Sequence, residues 1–202
     1  MPQMHTFGAV NINQGICGFT STLYAVYANR PGLHTSLDKA SAHARTRLMA
    51  EIKTFLVMLR ALGKQSMLDE IQTLTRSFAG YEAWTPETFI TQVNGVARPE
   101  GVPVPDVDFS IAMPPGPLME YLKICWDFNP VLETSLHENG GNIILGLTRT
   151  GGPKNAFGNL AHYVYKTPAG KIQSWGQDFD SIAHVNKVKK RNYSIISRIK
   201  IA

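Results

Sequence analysis

The chain is predicted to be an α+β protein, helices first and an antiparallel sheet last, on three observations. Apolar residues recur at helical spacing through the first half, as at Leu48, Ile52, Phe55, Leu56, Leu59 and Leu62. Proline and glycine crowd the stretch RPEGVPVPD and the following MPPGP, over 97–117, which excludes regular helix and predicts an extended surface connection. Beyond Gly140 and Gly141 the pattern changes to short β-branched and alternating runs.

Each element has its own signal. CGFTSTLYAVYANRPG predicts a helix of about three turns from Cys17 that stops before Pro31, because a residue preceding proline is pushed out of helical geometry. TSLD at 35–38 opens a second helix that Gly63 terminates. Ser66 with Asp69 and Glu70 opens a third through Phe78, and Thr85-Pro86-Glu87 a short fourth to about Val93. PLMEYLKICWDF, 117–128, returns to helical spacing, with Cys125 read as a buried core thiol. NIILGLT at 142–148 reads as a buried strand. HYVYKT, the turn PAG and KIQSW form a hairpin, and YSIISRIKIA closes the sheet.

A chain of 202 residues that is 44% hydrophobic can bury one sizeable core. One domain is expected over 1–202, its helical half about 1–139 and its sheet half about 140–202. The 20 Lys+Arg exceed the 15 Asp+Glu by five, much of it in KVKKR at 187–191. That run reads as a solvated basic face, and with no RNA- or DNA-binding motif beside it no nucleic-acid partner is expected. MPQMHTFGAV carries neither part of a secretory signal, and no stretch approaches the roughly 18 apolar residues of a membrane span. A cytoplasmic protein is expected, or one exported by a machine that reads no cleavable signal. Two cysteines without CxxC spacing argue for free thiols and against a metal site, and no cofactor is called for.

The chemistry-bearing residues are Cys17, between Gly15 and Gly18 where a loop becomes a helix, and His162 at the head of a strand. Unpaired N–H groups and the positive end of a helix dipole favour thiolate over thiol. An imidazole in reach completes the activation, and a third polar group orients the ring. Asp178 and Gln177, after the returning hairpin strand, are the candidates for that third role. An aspartate would also stabilise an imidazolium, which favours Asp178 slightly, and the choice stays open. His5, His34, His43, His137 and His184 lack this context and read as surface or capping residues. Trp175 reads equally as a cleft wall or a core aromatic.

NQGICGFTS followed far downstream by AHYVYKTPAGKIQSWGQD resembles the papain-like cysteine hydrolases, and most of all their compact bacterial members: bacteriocin-transporter peptidase domains and effector deamidases and proteases. The resemblance covers two segments, about a quarter of the chain. It implies a papain-like fold and a Cys17, His162 and Asp178 or Gln177 triad, with Asn11 or Gln14 joining the Cys17 N–H in an oxyanion hole. A literal overlay on papain would put Thr20 in the nucleophile's place, but a threonine hydroxyl with no terminal amine beside it is a poor nucleophile. The implied activity is amide hydrolysis, as a protease, glutamine deamidase or peptidoglycan amidase, in the manner of a bacterial effector or toxin. A protein or peptide substrate, a peptidoglycan peptide included, and a cognate inhibitor or immunity protein are the implied partners. The competing expectation is a non-catalytic module that docks through the basic run.

Overall fold

The computed structural model describes residues 2–10, 15–41, 43–95 and 110–202. The helices are α1 (Pro2–Val10), α2 (Cys17–Asn29), α3 (His34–Ser41), α4 (Ala44–Ala61), α5 (Gln65–Arg76), α6 (Pro86–Gly95), α7 (Pro115–Trp126) and α8 (Ile182–Lys189). The strands are β1 (Val131–Glu133), β2 (Ile143–Arg149), β3 (His162–Lys166), β4 (Ile172–Ser174), β5 (Gln177–Phe179) and β6 (Tyr193–Lys200), in one antiparallel sheet ordered β1-β6-β2-β3-β4-β5. The fold class is α+β.

Helix α2 is the hub. Cys17 to Val26 are all buried, so the helix reads as apolar all round rather than amphipathic. Phe19 stacks edge-on with Tyr121 of α7 at 4.7 Å and with Phe55 of α4 at 6.1 Å. Gly18 lets the segment leading into α7 approach: a Cβ there would stand 3.0 Å from Met113 Cε. On its other side α2 packs along β3 against Tyr163 and Tyr165, which share a core with Ile144 and Ile199.

The opposite sheet face carries Ile143, Leu145, Leu147, Val164 and Ile172, covered by Ile182 and Val185 of α8. Both faces are therefore occupied, which explains why β2 shows five successive buried residues instead of alternation.

Several sequence expectations are corrected. TSLD does not open one long helix: it lies within α3, and α4 starts afresh at Ala44. Leu62 is the C-cap of α4 and is exposed, while Gly63 takes the positive φ of +68° expected past a helix end. Residues 96–109 of the Pro/Gly-rich stretch lie outside the described residues, but Ser110 to Met113 are buried rather than on the surface. Cys125 is half-buried, not sealed in the core. β1 falls within the helical half and α8 within the sheet half.

Helix α1, absent from the sequence reading, seats Met4 and Phe7 in the core. It crosses the turn after β4 so closely that a Cβ on Gly8 would stand 2.5 Å from Gly176 N. No helix among the described residues is long and apolar enough to cross a membrane.

Candidate active site

The head of α2 has no side-chain cap: Ile16 is the N-cap, and the first intrahelical bond runs from Thr20 N–H to Ile16 O at 3.1 Å. An uncapped and buried helix start leaves N–H groups that need an acceptor. The Cys17 sulfur takes that place. The N–H groups of Tyr163, Gly18 and Cys17 itself act on it and favour thiolate, and its thiol reaches the Gly15 carbonyl at 3.9 Å. Burial works against them and dominates, pushing the thiol up to about 11. The ionised thiol expected from helix position alone is thus replaced, at neutral pH, by a protonated one.

Tyr163 follows His162 directly, so the helix head and the strand head lie side by side. The His162 ring occupies the sheet face of its cross-strand partner Leu147. Its Nε2 hydrogen-bonds Ser174 Oγ at 2.7 Å, and the ring stacks flat on Trp175 with centroids 3.8 Å apart. The tautomer with the proton on Nε2 donates to Ser174 and leaves Nδ1 as the unprotonated nitrogen. Burial, with a smaller contribution from the Lys189 charge, lowers His162 to about 3, so the imidazole is neutral. His162 and Cys17 do not hydrogen-bond one another: the ring leaves β3 on the face that α8 covers, α2 packs on the opposite face, and the two meet only at the strand end, where the sulfur lies by the Tyr163 N–H.

Trp175 has a φ of +48°, a strained conformation for a bulky residue, and Gly176 follows at +70°. This pair of left-handed residues turns the chain after β4 and lays the indole over the imidazole. Lys189 Nζ covers the other side of the indole at 4.7 Å, and Tyr193 lies 6.2 Å from the His162 ring.

Neither residue proposed for the third position contacts the imidazole. Asp178 is the cross-strand partner of Gln173, which faces α2 with Tyr165; it accepts from Gln173 Nε2 at 3.0 Å and lies 3.7 Å from His5 Nε2. Strand alternation therefore puts Asp178 on the sheet face away from His162. Gln177 is opposite Ser174 and exposed. Ser174 is instead the side chain bonded to the ring, and the same alternation puts it there: with Gln173 opposite Tyr165, the next residue falls on the histidine's face. Asn11 and Gln14 lie outside the described residues. His34 stacks on Tyr27 at 4.0 Å, and His184 pairs with Asp180 near the start of α8.

Among the described residues no three His, Cys, Asp or Glu side chains are grouped to hold a metal ion. No family model, curated protein or solved structure matches the chain.

Proposed function

We propose that the chain is a thiol hydrolase of papain-like arrangement, with Cys17 as nucleophile and His162 as general base, acting on an amide. The observation that carries the reading is the lodging of the Cys17 sulfur at the uncapped head of α2, against the N–H of the residue that follows His162. The positive end of the helix and a neighbouring strand N–H favour negative charge on the sulfur, which nucleophilic attack requires.

Because both groups are neutral at rest, the proton leaves sulfur as the sulfur attacks. Cys17 Sγ adds to the carbonyl carbon and its proton passes to His162 Nδ1, directly or through one water. The Cys17 N–H donates to the oxyanion. The imidazolium then protonates the departing amine, leaving a thioester on Cys17. Water, deprotonated by the same nitrogen, hydrolyses the thioester to a carboxylic acid and frees the thiol. Ser174 holds the ring through Nε2 while Trp175 keeps it in plane.

A small activated ester tests this without knowledge of the natural substrate. p-Nitrophenyl acetate is expected to give a burst of nitrophenolate that Cys17→Ala abolishes and Cys125→Ala retains. A burst that survives in Cys17→Ala, or none in the wild type, would sink the proposal.

A further inference from the structure

The aromatic wall around His162 is rimmed by positive charge. Arg149 lies directly opposite Tyr193 in the β2–β6 ladder, so both project on the face that carries His162. Lys189 covers the indole of Trp175. Arg191 sits two residues before Tyr193, and its charge, like that of Arg149, acts on the Tyr193 hydroxyl. Cys17, once ionised, raises that same hydroxyl, which places the rim within electrostatic reach of the nucleophile.

Among the described residues none of these three cations forms an ion pair. The nearby carboxylates are already taken: Asp180 by Lys171 and His184, Glu138 by Lys166, and Asp178 by Gln173 on the other face. Unpaired like charges on one side of the sheet repel each other, a cost that an anionic ligand removes. The basic run at 187–191 is thus not one uniform solvated face, because its central lysine turns inward over Trp175.

We infer that this basic rim selects a peptide carrying a carboxylate close to the amide that is cleaved, with Arg149, Lys189 and Arg191 as the residues that receive it. This specificity rests on the hydrolase reading above, but the field of the three cations can be measured separately. The probe is a pair of alkylating reagents of nearly equal size, anionic iodoacetate and neutral iodoacetamide. Their rate ratio at Cys17 reports the local potential and cancels intrinsic thiol reactivity.

At low ionic strength the iodoacetate-to-iodoacetamide ratio at Cys17 should exceed that of the same thiol in the urea-unfolded chain by about three- to fivefold, as expected for screened charges acting over roughly 10 Å. Half-molar salt should erase the excess, as should Arg149→Gln/Lys189→Gln/Arg191→Gln. Where the triple variant does not fold, Arg191→Gln alone, at an exposed site, should remove a part of it. A ratio no higher than in the unfolded chain, or one indifferent to salt and to the substitutions, overturns the inference.

A glutamate-rich peptide should slow iodoacetamide labelling of Cys17 where a lysine-rich one does not. Equal protection by a single-stranded oligonucleotide would overturn the assignment to a peptide. His162→Ala separates the two proposals, since an unchanged rate of ester acylation in that variant removes the hydrolase reading while the ratio still reports the charge field.

Discussion

Acidification is expected to unfold this protein through His162. Burial and, to a lesser degree, the Lys189 charge hold the ring at about 3 against 6.5 for a free imidazole, and the ring is stacked on Trp175. Below 6.5 the unfolded chain takes up a proton that the folded chain refuses, so the contribution of the neutral ring to stability is lost as pH falls from 6.5 towards 3. At 1.36 kcal/mol per unit the whole window is worth about 5 kcal/mol, and the part lost by pH 4 about 3 kcal/mol. Urea unfolding of wild type and His162→Gln at pH 7 and pH 4 isolates it, because other titrating groups cancel in the difference between the two proteins. The wild type should lose about 3 kcal/mol more than the variant. Equal losses, within about 1 kcal/mol, would show that the ring is solvated and that its neutral, clamped state is wrong.

Cys17 has the opposite sign: its thiol is raised to about 11, so its contribution is complete below about 9 and lost as pH rises through 11. Accordingly, iodoacetamide labelling of Cys17 should climb about tenfold per pH unit up to that value, and a plateau beginning near pH 6 would instead reveal a preformed ion pair. Ser174→Ala strands His162 Nε2 in a buried site and should cost about 1–3 kcal/mol while slowing acylation, with Ser174→Thr restoring part of both; an unchanged acylation rate would remove Ser174 from the site. Phe19→Ala opens the junction of α2, α4 and α7 and should cost about 3–5 kcal/mol by urea unfolding, a loss under about 1 kcal/mol contradicting the central place given to α2.

The elements that local chemistry dictates were legible in the sequence. Helix α2 ends at Asn29 because Pro31 follows, and Thr85 does open α6, its hydroxyl accepting from Thr88 N–H at 3.1 Å. Strand β2 could be recognised from its apolar run alone. What failed depends on contacts between distant segments. Helix α1 is stabilised by Met4 and Phe7 entering a core built by later residues, and nothing local in a nonapeptide announces that. Ser110 to Met113 look like surface linker by composition, yet Thr75 Oγ1 accepts from Ala112 N–H at 3.0 Å and draws them in.

At the site, the Cys17 helix does begin beside the His162 strand, but the hydrogen bond expected between the two side chains is absent, and neither the charge states nor the third residue was anticipated. Helix position argues for an ionised sulfur, and only the extent of burial reverses the outcome. Asp178 was favoured on its acidity, whereas strand parity decides which side chain can reach the ring, and parity requires the register of β4 on β3.

The claim on which all of this turns is that His162 serves Cys17, two groups tethered separately at one strand end. The rate at which p-nitrophenyl acetate acylates Cys17 at pH 7, followed by mass spectrometry of the thioester in wild type and His162→Ala, measures it directly. The account expects the substitution to slow acylation by about a hundredfold or more, the contribution of a positioned general base. Equal rates in the two proteins would contradict it.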